Sequence, residues 1–537
     1  MADLWATDLP LRARYAQGGG IYRLLPAAVA RPTDVPTLRA VLAAARAAGL
    51  SITPRGSGSA MDGGNVGDGL VLDLTAFHAD ACVVDAARRT AYCSPSLTLP
   101  QLHTVTAPHG LHLPLDPSSA RWATLGGLVS TNAAGARTVR DGAMRRWVEA
   151  LTLECEEGPL HLQRGVPPDA THPVVQRWHA DVEPLLARHR TAIEARWPRT
   201  AKNSFGYDLG AWWEHGELID MVIGAEGTLG VVSEITLRLA PRPMHRLGLR
   251  VALSTRGALV PAIETIRAAD PAMLELLDAS FLRLVEAALP GDPAAVLLVE
   301  LEGDDATAVM ARAETTQSAL AALGAGVITV EIATEEKARE ALWEIRHGAS
   351  PRLAGLTDGR QSLQVIEDGC VPVARLGDYL DAVDAACAVA GVDAVMFGHA
   401  GDGHVHVNLL PNLRDPDWLT KVRAIYAEVA DALLRLGGTP AGEHGAGRLR
   451  AGLIERFLGA EAVECFRAIK AAFDPAGRYN PGVILSDDRD PFTRLKVGAD
   501  AMPLPDGVAE ALQRIEREAR WGESRWSDRD PRTEDRW

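Results

Sequence analysis

No two cysteines stand close together in this chain. The six, Cys82, Cys93, Cys155, Cys370, Cys387 and Cys465, are scattered, which excludes an iron–sulfur or zinc-ribbon motif built from this sequence. Positive charge is not in excess either: 55 lysines and arginines face 70 acids, a net charge of −15, so nucleic acid and an anionic membrane face are excluded as main partners. No apolar run is long enough to span a bilayer, and Met1-Ala-Asp-Leu-Trp-Ala-Thr-Asp8 lacks the basic and apolar regions of a signal peptide. Reduced thiols and a cytoplasmic protein, at most peripheral to a membrane, are expected. Internal repeats and low-complexity tracts are also missing. At 537 residues there is chain enough for two or three domains.

What the chain does have is a concentration of histidine. His399-Ala-Gly-Asp-Gly-His-Val-His406-Val-Asn408 and Gly442-Glu-His-Gly-Ala-Gly447 gather four histidines, a carboxylate and an amide into two glycine-rich turns. Read as β-turn-β with Ala400 to Gly403 as the loop, the first segment sets His399 opposite His404, and the two-residue period puts His406 on the same face. His399 and His406 are then diagonal neighbours, with Cβ atoms roughly 7–8 Å apart or somewhat less. Neutral imidazoles with one carboxylate suit Zn²⁺, Mn²⁺ or Fe²⁺, so His399, His406 and Glu443 are candidate metal ligands. His404, on the same face, is a ligand, a supporting donor or a substrate contact. A lone histidine is more often a hydrogen-bonded core or surface residue; a cluster at this spacing points to an ion.

Earlier in the chain, Arg31-Pro-Thr-Asp34 caps a predicted helix running to about Gly49, followed by the loop Arg55-Gly-Ser-Gly-Ser-Ala-Met-Asp-Gly-Gly-Asn65. Such a loop can offer backbone N–H groups to a phosphate or serve as a plain turn; Met61 replaces the third glycine of a Rossmann fingerprint. Small residues dominate Pro114-Leu-Asp-Pro-Ser-Ser119, Thr124-Leu-Gly-Gly127 and Ser130-Thr-Asn-Ala-Ala-Gly135, as close contact with a planar cofactor, or tight packing of loop on helix, would require. Lys202-Asn-Ser-Phe-Gly-Tyr-Asp-Leu209 and Ile223-Gly-Ala-Glu-Gly-Thr-Leu-Gly230 lead into an alternating strand, Val231 to Leu239. Beyond Pro241 and Pro243, strands over 247–253, 295–302 and 327–332 alternate with helices over 257–269 and 307–323. A helix from Thr334 puts Arg346 and Ser350 on one face at i, i+4, where they can grip a carboxylate. A strand over 362–366 and helices over 376–389 and 418–436 are predicted around the histidine hairpin. From Asp487 acids and bases alternate, with Trp521, Trp526 and Trp537; no core is expected there, only one helix near 507–519 that docks on the body or a partner, or a frayed tail.

These landmarks, in this order, resemble the flavin-dependent oxidoreductases of the vanillyl-alcohol oxidase and p-cresol methylhydroxylase (PCMH) superfamily. The narrower resemblance, over roughly residues 25 to 485, is to the branch of D-lactate dehydrogenase, D-2-hydroxyglutarate dehydrogenase and the glycolate oxidase catalytic subunit. It implies an α+β fold: a lead over 1–25, a two-subdomain PCMH-type FAD-binding domain over 26–240, a ferredoxin-like α+β substrate (cap) domain with the metal site over 241–470, a return to the FAD domain over 471–486, and a charged tail over 487–537.

By the same resemblance Arg55, Gly56, Ser57, Gly58, Ser59 and Ala60 wrap the FAD pyrophosphate. Asp116, Pro117, Ser118, Ser119, Thr124, Gly126, Gly127, Asn132, Gly135, Glu226, Gly227 and Asn480 complete the pocket. Ser57 and Ser59 stand where covalently flavinylated relatives carry histidine, implying non-covalent FAD. His399, His406 and Glu443 match ligands of a divalent ion and His444 matches the base, while Arg346, Ser350 and Asn408 match positions that hold substrate, with His404 beside them. Val365-Ile-Glu-Asp368 lacks the lysine of relatives active on dicarboxylates, and Val483 stands where many place lysine. The implied reaction is oxidation of a D-2-hydroxy acid of the D-lactate, glycolate or D-2-hydroxyglutarate class. Electrons would pass to a quinone, cytochrome, iron–sulfur partner or O₂, and a homodimer is compatible with the architecture. A non-catalytic flavin subunit of an electron-transfer complex and a metal-dependent hydrolase are the alternatives.

Overall fold

A computed structural model describes residues 4–78, 81–287, 289–348, 352–353, 355–356, 358–486, 490–518, 520–522 and 525–526. Ser350 and Trp537 lie outside the described residues.

Asp34 caps the helix Val35–Ala47 by accepting from the Thr37 N–H at 2.8 Å, with a proline in the first turn. Leu38, Val41, Leu42 and Ala45 form its buried stripe and pack with Ala28, Ile52, Leu70 and Leu72. Those last four belong to a three-stranded parallel sheet in the order Ala28–Ala30, Leu70–Asp73, Ile52–Arg55. The strand Ile52–Arg55 delivers the chain directly into the glycine loop. A five-stranded antiparallel sheet follows, in the order Cys82–Asp85, Thr90–Cys93, Val231–Arg238, Val148–Cys155, Gly158–Gln163. Late in the chain Tyr479 bridges Ile52 in parallel, and the Asn480 N–H reaches Ile52 O at 2.7 Å, returning the chain to the first sheet.

A two-stranded antiparallel sheet pairs Leu111–His112 with Ala240–Pro241, and the largest sheet has seven strands, in the order Val327–Ala333, His245–Leu253, Ala295–Gly303, Met273–Asp278, Asp393–Gly398, His404–Leu410, Gly369–Cys370, all antiparallel. The helices Leu259–Arg267, Ala306–Ala321, Leu376–Ala390 and Trp418–Arg435 accompany it. A buried carboxylate links it to the earlier part of the chain, where Arg137 and Arg140 both pair with Glu302.

Two expectations are corrected. The strand expected over 362–366 is reduced to one bridge, Leu363 to Leu409, because the chain turns inward to bring the buried carboxylates of Glu367 and Asp368 to partners at the histidine cluster. The tail is not coreless: the helix Val508–Arg517 buries Val508, Leu512 and Ile515 against Ala13, with Trp521 packed alongside. Its other positions are charged enough to mask that stripe in the sequence.

Candidate active site

The histidine hairpin forms as its period predicts. Phe397 pairs with His406 and Val395 with Asn408, and the turn Ala400–Asp402 closes at Gly403, which has φ +70°. A Cβ at Gly398 would meet His404 O at 2.3 Å, so close approach of the two strands requires glycine there. The turn that carries Glu443 is fastened from an earlier part of the chain: Glu226 accepts from the N–H groups of Ala446 at 2.8 Å and Gly447 at 2.9 Å.

His399 Nε2 and His406 Nε2 stand 3.3 Å apart, with Glu443 Oε1 at 3.3 Å from the first and 3.4 Å from the second. The other ring nitrogens decide what these atoms are. His406 Nδ1 meets the Glu367 carbonyl at 3.0 Å and must donate to it, which leaves Nε2 a lone pair. His399 Nδ1 meets the Glu275 carboxylate in a short contact, which turns Nε2 inward in the same way. With His399 Nε2 deprotonated, as binding an ion requires, three acceptors converge. Zn–N bonds of about 2.0–2.1 Å in a tetrahedron give edges of roughly 3.3–3.4 Å, the size of this triangle, so its donor chemistry and dimensions both fit a divalent ion.

Buried partners hold the triangle. Lys202 Nζ lies 2.8 Å from Glu443 Oε2 and also donates to Gly135 O at 3.0 Å, so Oε1 is the Glu443 oxygen left to face His399 and His406. Burial opposes ionisation of Glu443, but Lys202 and His399 outweigh it and hold the carboxyl well below its usual range. Burial likewise opposes charge on His399, where Glu275 wins and raises it to about 9. His444 behaves alike: against burial, Asp368 and Glu367 raise it to about 9. Its Nδ1 lies 3.2 Å from Glu367 Oε1 and its Nε2 3.5 Å from Glu443 Oε1; Glu367 is itself paired with buried Arg450.

His404 is fully buried behind the cavity wall, with Nε2 2.8 Å from Asp368 Oδ1 and Nδ1 without a hydrogen bond, 3.9 Å from Glu443 Oε2. Burial drives it down to about 3, so its ring is neutral. It is placed as a support or a fourth donor, not against substrate.

One cavity of about 830 Å³ runs from the glycine loops to this cluster, within the usual range for ligand sites. Arg55 to Ala60, Pro117 to Ser119, Thr124, Gly126, Gly127, Glu226 and Gly227 form one side; Arg346, Asn408, His406, Glu443 and His444 form the other. Loops touch tightly on the first side: a Cβ at Gly56 would strike Thr124 Oγ1 at 2.3 Å, and Gly58 has φ +84°. That compact, amide-rich cradle fits a dinucleotide. On the second side, Arg346 Nε donates to Glu275 Oε2 at 3.1 Å over the Phe397 ring, and Asn408 Oδ1 accepts from Ser362 and Gln364, each at 3.2 Å.

Four residues expected to line the pocket, Asp116, Asn132, Gly135 and Asn480, are not among those that do. Asn132 accepts from the Arg145 N–H at 2.9 Å, and Asn480 donates to Gly64 O at 2.7 Å and Glu226 O at 2.8 Å. Gly135 is pressed on Asp116, whose carbonyl oxygen a Cβ would meet at 2.1 Å. These brace the loops that make the wall.

The sequence reading assigned no role to Lys202, Glu275, Glu367, Asp368 or Arg450. Glu275 left a signal: it stands between leucines in Met273–Asp278, a run that is buried along its whole length, where a carboxylate needs a partner.

Residues 26–161 match the FAD binding domain family, and residues 242–484 match the family described as FAD linked oxidases, C-terminal domain. The glycolate oxidase subunit GlcD of Bacillus subtilis is 30% identical over 476 residues, covering 87% of this chain and 90% of that protein. The chain belongs to the FAD-linked oxidases. D-lactate dehydrogenase of Archaeoglobus fulgidus is 28% identical to this FAD-linked oxidase over 465 residues, with coverages of 85% and 91%. D-2-hydroxyglutarate dehydrogenase of Pantoea ananatis is 28% identical over 512 residues, 89% of this chain and 50% of that protein. Among solved structures, p-cresol methylhydroxylase with substrate bound superimposes with a TM-score of 0.67 at 14% identity, over 90% of this chain and 94% of that one. That likeness establishes the α+β, PCMH-type fold. Among the described residues no helix is long and apolar enough to cross a membrane.

Proposed function

We propose that this FAD-linked oxidase converts a D-2-hydroxy acid of the lactate, glycolate or 2-hydroxyglutarate class to the 2-oxo acid. FAD would be held without a covalent bond, and a divalent ion would be held by His399, His406 and Glu443. The carrying observation is the triangle of convergent acceptors at 3.3–3.4 Å beside the cavity that passes the glycine loops. The names of the relatives support the substrate class and its hand. What the two groups supply when bound is a hydride acceptor and a Lewis acid.

The protein's own part follows from its hydrogen bonds. With Nε committed to Glu275, the terminal nitrogens of Arg346 remain for the substrate carboxylate. With Oδ1 committed to Ser362 and Gln364, Asn408 Nδ2 is left to donate to the same acid. Ser350 is the second carboxylate partner in this reading. His444 takes the hydroxyl proton at Nε2 while the C2–H electron pair leaves as hydride, so C2 becomes a carbonyl. General-base help of this kind is worth ~10²–10⁴-fold. Glu367, anchored by Arg450, keeps the imidazole turned and stabilises its protonated form. With a divalent ion held by His399, His406 and Glu443, the His444 ring would be favoured in its neutral form, against the pull of the carboxylates. Electrons pass on to a quinone, cytochrome, iron–sulfur partner or O₂.

Steady-state dye reduction with D and L forms of lactate, 2-hydroxyglutarate and malate, plus glycolate, tests the substrate class. Turnover with one D acid or glycolate, abolished by chelation and restored by one divalent metal, is expected. No turnover with any of these acids by FAD-loaded, metal-loaded protein would remove the substrate class.

A further inference from the structure

The C-terminal segment has no place in the reaction above, yet it reaches the same cavity. Gln513, Glu516, Arg517 and Trp521 stand on its wall, on the side of the glycine loop. Gly522 is pressed on Trp122, whose ring a Cβ would meet at 3.0 Å. The helix Val508–Arg517 is anchored by its buried stripe and by Glu516, which pairs with Lys496 at 2.5 Å. A smaller cavity of about 200 Å³ adjoins the large one, sharing Arg55, Gly56, Ser57, Trp122, Thr124 and Trp521 with it.

Two buried guanidinium groups lie there, Arg55 lining both cavities and Arg525 the smaller one. Arg525, 5% exposed, donates through Nη1 to Gln17 O at 2.8 Å and Arg14 O at 3.2 Å, while its Nε and Nη2 have no acceptor. Arg55, 2% exposed, donates through Nη2 to the same Gln17 carbonyl at 3.0 Å and through Nη1 to Tyr15 O and Asn65 O; its Nε has no acceptor. The acid in that cavity, Asp73, already accepts from Tyr15 Oη at 2.6 Å and from Thr75 Oγ1 at 2.7 Å. Unused donors on two buried cations beside an amide-rich loop call for an anion with several acceptor oxygens.

We propose that the helix Val508–Arg517, with Trp521 and Arg525, is a latch on the dinucleotide cofactor: Arg525, together with Arg55, takes phosphate oxygens of the FAD pyrophosphate, and Trp521 closes the wall over them. The proposal rests on the large cavity being the flavin's seat. A segment from the far end of the chain thereby becomes part of the cofactor site, and cofactor binding and tail docking support one another.

The test uses full-length apoprotein titrated with FAD, ADP, inorganic phosphate and riboflavin, in wild type, Arg525→Gln and Trp521→Ala. Loss of one charge-assisted hydrogen bond predicts FAD and ADP binding weakened roughly tenfold or more in Arg525→Gln, with riboflavin affinity unchanged. Trp521→Ala should speed FAD release several-fold. Limited proteolysis of the wild-type tail supplies a measurement without a variant: FAD and ADP slow the cleavage, riboflavin does not. Equal FAD and ADP affinities in wild type and Arg525→Gln, or cleavage indifferent to FAD, overturns the latch. Inorganic phosphate binding as tightly as ADP overturns it too, because the cavity then seats a free anion. Wild type that binds no FAD is a different failure, that of the flavin reading itself.

Discussion

Lys202 Nζ lies 2.8 Å from Glu443 Oε2 with both side chains buried, tying the stretch between the two family matches to the turn beside the histidine cluster. Removing the cation strands a buried carboxylate, a loss of about 3–5 kcal/mol for a broken buried pair. Lys202→Met is expected to lower the unfolding free energy read from urea denaturation by that order and to reduce metal content. Unchanged stability with full metal loading would mean that Lys202 is dispensable to Glu443.

Glu275 fixes the ring of His399 by its contact with Nδ1. Glu275→Gln keeps the shape and removes the charge, and outer partners of metal-bound histidines are typically worth about 10- to 100-fold in affinity. Competition with a chromophoric chelator measures this directly. Flavin content should not move.

Arg346→Ala is expected to raise KM for the 2-hydroxy acid about tenfold or more, the worth of a charge-assisted hydrogen bond. Arg346 also bonds Glu275 Oε2 and covers Phe397, so Arg346→Lys should recover only part of the affinity. Substrate-concentration dependence of flavin reduction separates this loss of binding from a loss of rate.

Acid should loosen the contact between the two halves. Burial pushes Glu302 up, but Arg137 and Arg140 overrule it and hold the carboxyl at about 2, against an ordinary value of 4.5. A carboxyl depressed in the folded state contributes stability that is present above 4.5 and lost as pH falls toward about 2. Glu302→Gln should therefore be less stable than wild type at neutral pH and show a shallower decline over that acid window. Urea unfolding at several pH values checks the slope.

The histidine hairpin was legible because its information is local: a two-residue period, a glycine turn, and a register that sets Phe397 opposite His406. The capped helix at Asp34 was legible for the same reason. The supports of the site were not. Glu275 reaches His399 across 124 residues and Lys202 reaches Glu443 across 241, distances over which composition and periodicity carry no pairing information. The segment before Asp368 alternates like a strand, but two adjacent buried acids bend it inward, so tertiary demand overrode propensity. The tail helix was hidden differently: its stripe of Val508, Leu512 and Ile515 is short, and the Ala13 surface it needs lies at the opposite end of the sequence.

The central claim is that His399, His406 and Glu443 hold an ion that makes a 2-hydroxy acid reactive toward bound flavin. It is tested most directly by anaerobic visible spectroscopy of FAD-loaded protein, mixed with the best acid from the dye-reduction panel. Bleaching of the flavin band near about 450 nm in metal-loaded wild type, lost on chelation and in His406→Ala that still binds FAD, is the predicted result. Equal bleaching with and without metal would contradict it.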